Sequence, residues 1–242
     1  MYFLGNASTR RVQLDAWSQT VQGIAEFIEV AIHTILYVRQ IYPVDLFVRR
    51  KKYNTPVFQS RHPALNEYIS GAVGALAEEL ATGSVDKIAV VVKNQDDVAL
   101  ERFIFAVQNM INVDPYNKDI SVEGAIAPSS LGQYLRSFLV KLNMIEAQLG
   151  QLDSCGELSF AIVLELHDNK APATSYGEDR DPPPWVPALT PHTTAGAADT
   201  AELHMVRAVD TGIINLSLAV QESAEKLKLG REDPKGKGRV SS

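Results

Sequence analysis

Hydrophobic residues recur at helical spacing in three stretches of the chain. The first covers residues 20–40, and its apolar face is so wide that we expect a helix nearly surrounded by other elements. The second covers residues 63–80 and ends shortly before Gly83. The third covers residues 130–149, with Ser130 as the expected N-cap. The pattern therefore predicts three amphipathic helices.

Strand patterns lie between and after these helices. Residues 88–92 form a continuous β-branched run, which is typical of a strand covered on both faces. Residues 102–107 alternate, and the short link between the two runs indicates an antiparallel hairpin. Further strands are predicted at residues 45–48, 158–166, 203–209 and 213–220, the last two joined by a turn at 210–212. Helices and strands mix without regular βαβ alternation, which favours an α+β fold.

A proline-rich stretch precedes the last two strands. Residues 170–202 hold six of the twelve prolines, and so long a segment without regular structure is typical of a functional loop or a linker. Trp185 lies in its Asp-Pro-Pro-Pro-Trp-Val-Pro run. A large indole in a proline loop is either an anchor that fixes the loop to the core or a contact for a proline-rich ligand.

Composition narrows the class of protein. The chain has 242 residues, a formal net charge of -6 and a single cysteine, Cys155. One cysteine excludes a disulfide framework and zinc sites built on paired cysteines, and it suits a reducing compartment. The acidic balance argues against a nucleic-acid binder that uses its whole surface. No apolar run approaches the roughly 20 residues of a membrane helix, so we expect no membrane segment.

Catalytic and metal-binding motifs find no support in the sequence. The five histidines are scattered without metal-ligand spacing, and glycine-rich phosphate loops and nucleophile elbows are missing. His33, beside the apolar stripe of the first helix, is expected to be structural, and Cys155 would need a base from elsewhere in the fold. We therefore predict a protein that is not an enzyme and needs no cofactor or metal.

A basic run, Arg49-Arg50-Lys51-Lys52, follows the predicted strand at 45–48. It can serve as a nuclear-import signal or contact phosphates. It can equally be a solvated strand end, and the sequence leaves these alternatives open.

The first half of the chain carries a distinctive ordered set of motifs. They are Leu-Tyr-Val-Arg at 36–39, Tyr-Pro at 42–43, Arg-Lys-Lys-Tyr-Asn at 50–54, Pro-Val at 56–57 and His-Pro at 62–63. In this order they closely resemble the HORMA-domain accessory subunits of DNA polymerase zeta, the translesion-synthesis polymerase. The resemblance covers roughly residues 18–222 and is dense only in the first half.

The resemblance implies a HORMA domain, an α+β fold with three helices packed on an antiparallel sheet. Its mobile C-terminal seat belt closes over an extended partner peptide that adds to the edge of the sheet. In this chain it implies a flexible N-terminus at 1–17, a core at 18–166 and a seat belt at 167–222, so that the HORMA domain covers 18–222. A disordered basic tail is expected at 223–242. The proline-rich stretch followed by two strands agrees with such a belt.

The resemblance also implies a function. The chain is expected to be a nuclear, non-catalytic adaptor that captures a proline-containing peptide of the polymerase zeta catalytic subunit and bridges to a scaffold polymerase of translesion synthesis. A HORMA homodimer or heterodimer is a further expected assembly, without membrane association or strong direct nucleic-acid binding. The closest alternative is a HORMA protein of the spindle-checkpoint type that binds other closure peptides. An enzyme is a distant third.

Three sets of residues match binding surfaces of the family. Tyr68 and Trp185 match positions that contact the peptide. Leu203, Ser217 and Ala219 match the surface that docks the scaffold polymerase, although the family has glutamine and tyrosine at the latter two positions. Arg136, with Gln40, Arg49 and Ala147 around it, matches the dimerisation surface.

Overall fold

The computed structural model describes residues 7–109, 128–152, 156–169, 171–172, 185–193, 201–210 and 214–232. The helices in these ranges are α1 (Ala7–Val38), α2 (Pro63–Thr82), α3 (Pro128–Leu142), α4 (Glu146–Leu149) and α5 (Ala224–Glu232). The strands are β1 (Phe47–Lys52), β2 (Thr55–Ser60), β3 (Val85–Lys93), β4 (Ala99–Asn109), β5 (Ser159–Leu166), β6 (Glu202–Asp210) and β7 (Ile214–Glu222).

Five strands form one antiparallel sheet in the order β5-β3-β4-β7-β6, while β1 and β2 form a separate ribbon. The main core lies between this sheet and the helices. Phe27 of α1 packs edge-on against Phe105 of β4 and also contacts Phe138 of α3, with ring centroids 6.1 and 5.3 Å apart. Helix α1 therefore contacts both the sheet and α3, and the predicted α+β architecture is confirmed.

Helix α1 differs from the sequence prediction in two ways. It begins at Ala7, so residues 7–17, expected to be flexible, are helical. They contain neither glycine nor proline, and the helix continues through them. The stretch Ser18–Val38 is also long and apolar enough to cross a membrane by length and composition, contrary to our expectation, but 61% of its most apolar window is buried inside the fold. In this fold it is the central core helix.

Three other segments depart from the predicted pattern. The basic run lies within β1 rather than after a strand, and its partner β2 was not predicted. The third predicted helix is interrupted after Leu142, where the Asn143 side-chain amide donates to Leu139 O (2.9 Å) and to Pro56 O of β2 (3.3 Å). A side chain that bonds the preceding turn competes with the helix backbone, which accounts for the break.

The predicted disordered tail is wrong for residues 224–232, which form α5. Lys226 of this helix is buried, with 6% of the residue exposed. Its ammonium group bonds to carboxylates of the sheet, so electrostatic pairing rather than apolar periodicity orders the segment. The rest of the predicted tail, 233–242, lies outside the described residues.

Candidate functional site

The strands that flank the predicted seat belt region (167–222) lie on opposite sides of the β3–β4 pair. Strand β5, which precedes the belt, pairs with β3, whereas β7 pairs with β4 in the register that places Leu218 opposite Phe105. The chain leaves β5 at Leu166 and re-enters the sheet at Glu202 of β6. The belt therefore has to cross from one side of the sheet to the other.

Residues 185–193 are the longest described part of that crossing. Arg102 of β4 donates to the carbonyl of Pro191 and, over 3.3 Å, to the side-chain carbonyl of Gln221. The ring N–H of His192 donates to Asp97 O over 3.1 Å. Burial lowers the pKa of Arg102, as expected for a partly desolvated guanidinium. Because Arg102 alternates with the core residue Phe103 along β4, Pro191 lies against the face of the sheet opposite α1.

The outer edge of β5 pairs with no other described strand. Its side chains on the helix side, Phe160, Ile162 and Leu164, are only partly buried although they pack against the main core. Tyr68 of α2, which is 48% exposed, packs edge-on against Phe160 with centroids 5.7 Å apart. We call this surface the β5 edge: the outward-facing backbone of a strand with no further strand partner among the described residues, beside a partly open apolar strip.

Tyr42 also packs against Phe160, with its ring centroid 6.2 Å away in an edge-on contact. Burial, followed by the nearby Tyr68, raises the pKa of Tyr42. Tyr42 therefore stays neutral at pH 7. Both tyrosines offer apolar ring surface with a polar tip, a combination that suits peptide ligands.

Trp185 is partly buried against the main core. Its indole Nε1 is shielded from solvent and has no hydrogen-bond partner among the described residues. Such an unsatisfied buried donor costs about 1–3 kcal/mol. In the described structure, the rings of Tyr68 and Trp185 make no direct contact. The two residues predicted to contact the peptide therefore do not form one stacked pair.

The sequence profile of the HORMA domain matches residues 20–154. The chain belongs to the HORMA-domain family. It is 30% identical over 210 residues to the mitotic spindle assembly checkpoint protein MAD2B of Gallus gallus, covering 84% of this chain and 90% of the relative. It is 38% identical over 130 residues to the DNA polymerase zeta processivity subunit of Schizosaccharomyces pombe, covering 52% of this chain and 61% of the relative. Within the family it belongs to the group that contains these two proteins.

Solved structures agree on the fold. The structure of C. elegans HTP-2 bound to HTP-3 closure motif 1 superposes with a TM-score of 0.64, covering 85% of this chain and 86% of that chain. The sequence identity is 14%, so this likeness shows the HORMA fold alone.

The residues predicted to dock a scaffold polymerase share one face of the β6–β7 hairpin of this HORMA domain. Ser217 and Ala219 alternate with buried core positions of β7 and therefore point outward. Leu203 lies opposite Gln221 on the same face and is 57% exposed. Met205, opposite Ala219 and 63% exposed, belongs to this face too, and our sequence reasoning missed it.

The four residues predicted for dimerisation are all exposed in the HORMA domain. Arg136 lies on α3, Ala147 on α4 and Arg49 on β1. Gln40 lies in the turn after α1, with a positive φ of 51°. The exposure is what a binding surface requires, and their role stays a prediction.

A buried ionic network, which the sequence reasoning missed, fastens the hairpin to the core. Arg39 at the end of α1 makes two hydrogen bonds to the Glu101 carboxylate of β4, at 2.8 and 2.7 Å. The Lys226 ammonium bonds to Glu101, to Glu222 at the end of β7 and, at 2.7 Å, to the carbonyl of Leu149. We call Arg39, Glu101, Glu222 and Lys226 the Glu101 network. Two positive and two negative charges balance within it.

The network extends to β6 through His204. The His204 Nε2–H donates to Glu222 Oε2 over 2.8 Å, and its Nδ1 lies 3.3 Å from the side-chain amide of Gln148 on α4. Glu202, His204 and Glu222 offer ligand atoms within 4.8 Å of one another, a set that could hold a metal ion. A cation there would have to displace the bonds of Glu222 to Lys226 and His204. The ionic network already accounts for the arrangement.

The candidate catalytic groups do not form a reactive site among the described residues. Burial lowers the pKa of His33 to about 4, so the ring is neutral at pH 7. Its Nδ1 accepts from the backbone N–H of Ser60 over 3.4 Å, which makes it a structural link between α1 and β2. Cys155 lies outside the described residues.

Proposed function

We propose that this HORMA protein is a non-catalytic adaptor subunit of DNA polymerase zeta. It would capture a proline-containing peptide of the catalytic subunit under its seat belt and link that subunit to a scaffold polymerase during translesion synthesis, in the nucleus. The name of the S. pombe relative supports the polymerase assignment. The observation that carries peptide capture is the β5 edge.

An extended peptide would add to the sheet as a strand beside β5. Its backbone would bond to the outward-facing N–H and C=O groups of that strand, which gives affinity independent of sequence. Every second N–H of an added edge strand points away from the sheet, so proline is tolerated at those positions. Side chains on the inner face would contact Phe160, Ile162 and Tyr68, which supply the apolar half of the site.

Trp185 would add specificity through its buried Nε1–H. A peptide carbonyl that reaches this donor would remove the cost of leaving it unsatisfied. In this arrangement Tyr68 and Trp185 contact different parts of the peptide, in keeping with the lack of a contact between their rings.

The crossing belt gives a reason for slow release. A peptide at the β5 edge lies at the start of the belt, whose far end is fixed by β7 and by the Glu101 network. Dissociation that requires the belt to open would be limited by the opening rate, and affinity changes would appear mainly in the off-rate.

Bridging would use the outward face of the hairpin. Leu203 and Met205 provide exposed apolar area, while Ser217 and Ala219 leave space between them. A side chain of the scaffold polymerase would fill the space that these small residues leave. Self-association would use the surface around Arg136 with Gln40, Arg49 and Ala147.

A spindle-checkpoint-type protein that binds other closure peptides is the second candidate function. The name of the G. gallus relative favours it, and that relative is matched over more of this chain than the polymerase subunit is. Both functions use the same β5 edge, so the peptide partner decides between them.

Fluorescence polarisation with two labelled peptides tests the proposal. One is a proline-containing segment of the polymerase zeta catalytic subunit of the same organism, and the other is a spindle-checkpoint closure motif. We expect selective, slowly dissociating binding of the first, weakened by Trp185→Ala. Selective binding of the second peptide would favour the checkpoint function, and failure of both would contradict capture at the β5 edge.

A further inference from the structure

Strand β1 carries four consecutive cationic residues, Arg49 to Lys52. It is the outer strand of the ribbon and pairs only with β2 among the described strands. The β2 residues opposite the four cations are Phe58, Val57, Pro56 and Thr55. No carboxylate therefore faces the run from its partner strand.

Three of these cations have no partner among the described residues. Lys52 bonds to Glu26 of α1. Arg49, Arg50 and Lys51 are exposed, and none has a side-chain hydrogen bond or ion pair within the described part of the chain. The protein as a whole has 29 acidic and 23 basic residues. Arg49, Arg50 and Lys51 therefore form a strip of unpaired positive charge, within the described residues, on a protein whose net charge is negative.

The strand geometry spaces these charges regularly. Successive side chains of a strand point to opposite sides, and alternate ones on the same side are about 6.6 Å apart. Arg49 and Lys51 share one side of β1, and Arg50 occupies the other. One strand of duplex DNA presents a phosphate about every 3.4 Å along the helix axis. Long arginine and lysine side chains on both sides of an exposed strand can therefore reach several phosphates at once.

We infer that β1 is a contact strip for the phosphate backbone of duplex DNA, with Arg50 and Lys51 as its main contacts. The inference rests on the proposed polymerase function, because only a subunit held at a DNA template would use so short a strip. Three contacts give weak binding, in keeping with our expectation that the protein binds nucleic acid without great strength. Their contribution would be to the time that the assembled polymerase stays on DNA.

A different reason for such charges is protection of an edge strand. Lysine and other charged residues on exposed edges prevent pairing with other chains. This reason predicts that removing charge from β1 causes aggregation and leaves DNA binding unchanged. An acidic protein is another conceivable occupant, and it would be displaced by acidic polypeptide rather than by DNA.

The test measures binding of a labelled duplex to the full chain, loaded with the catalytic-subunit peptide, between 50 and 200 mM salt. The slope of log K against log salt is negative, and each lost phosphate contact should decrease its steepness by about 0.9. We expect that decrease for Arg50→Ala and for Lys51→Ala, about twice as much for the double variant, and the wild-type slope for Arg50→Lys. Lys228→Ala, which removes an exposed cation from α5, is the matched control. Arg49 is left intact because it is also predicted at the dimer surface.

Several results would overturn the inference. The first is that the wild type shows no salt-dependent binding of the duplex. The second is that the double variant has the same slope as Lys228→Ala, or aggregates without losing DNA binding. The third is that poly-glutamate displaces the duplex as effectively as unlabelled duplex does. Peptide affinity, measured in parallel, separates this inference from the proposed function. A double variant that loses DNA binding and still binds the peptide supports the inference about β1. If the wild type binds its peptide but not the duplex, the inference about β1 is wrong and the proposed function is unaffected.

Discussion

The two sides of the five-stranded sheet are built in opposite ways. On one side, β5 has no partner on its outer edge among the described strands, and its apolar side chains are partly exposed beside Tyr68. On the other side, β7 pairs with β4 and β6 with β7, and the Glu101 network fastens this hairpin to the core. Since β6 also has no further neighbour among the described strands, the two sides differ in their side chains: a partly open apolar strip on the first and a desolvated ionic network on the second.

If the β5 edge captures a peptide as proposed, the difference separates a surface that accepts the partner from a segment that retains it. Apolar packing is graded, so peptides of varied sequence should bind there with modest differences in affinity. In a buried ionic network, the loss of one member leaves its direct partners desolvated and short of a bond. The fastening of the hairpin should therefore weaken most when the carboxylate shared by two cations, that of Glu101, is removed.

Glu101→Ala should give the largest effect, because it removes the carboxylate shared by Arg39 and Lys226. Breaking a buried pair by removing one partner costs about 3–5 kcal/mol. We expect a loss of that size in the free energy of unfolding, measured by urea denaturation at pH 7. Lys228→Ala, at an exposed site on α5, should change it by no more than about 0.5 kcal/mol. A loss below 1 kcal/mol for Glu101→Ala would mean that the network does not fasten the hairpin.

Lys226→Met should act on the hairpin more than on the rest of the sheet. The substitution keeps an unbranched side chain and leaves Glu101 paired with Arg39, so the expected cost is smaller, about 1–3 kcal/mol for the unsatisfied acceptors. Amide hydrogen exchange should accelerate in β6 and β7 and remain slow in β3 and α1. Equal acceleration throughout the protein would show that α5 supports the whole fold and not the hairpin in particular.

Tyr68→Ala tests the open side. Tyr68 is half exposed and packs on Phe160, so its loss should leave the fold intact. As a central aromatic contact it should contribute on the order of 2 kcal/mol to peptide binding. Fluorescence polarisation should therefore show an affinity about 30-fold weaker for Tyr68→Ala. Tyr68→Phe should keep most of the affinity. Tyr134→Ala, at another exposed tyrosine on α3, is the control, and an equal loss there would argue against the β5 edge.

Local periodicity predicted the elements that form both sides of the sheet. The apolar row of α2 and the β-branched run of β3 were recognisable because each residue's burial follows from its own element. The resemblance to HORMA proteins then placed the long proline-rich segment as a belt. The outward face of the hairpin followed from strand alternation once Leu203 and Ala219 were singled out.

The Glu101 network could not be predicted in the same way. Its members lie at positions 39, 101, 222 and 226, and their pairing depends on how four elements meet. The available signal was a charged residue directly after an apolar run, as at Arg39 and Glu101, but many solvated residues share it. Helix α5 was missed for the same reason, because Lys226 is buried by ion pairing in a segment rich in charge. Strand β2 was missed because its six residues include a proline and show no clear alternation.

Lowering the pH should have the smallest effect on the free energy of unfolding. It should leave the difference between the two sides of the sheet unchanged. His33 belongs to neither side and is a neutral buried group with a pKa lowered to about 4 by desolvation. Between its ordinary pKa near 6.5 and 4, the unfolded chain binds a proton that the folded chain does not, so stability falls as pH decreases through this window. From pH 7 to pH 5 the expected loss is somewhat below 2 kcal/mol. Urea denaturation at both pH values should show that His33→Gln loses less unfolding free energy than the wild type between pH 7 and pH 5, by about this amount. The amide hydrogen exchange rates of β3 and the hairpin should keep the same ratio. An unchanged pH dependence in the variant would show that His33 is protonated in the folded protein and that burial does not keep it neutral.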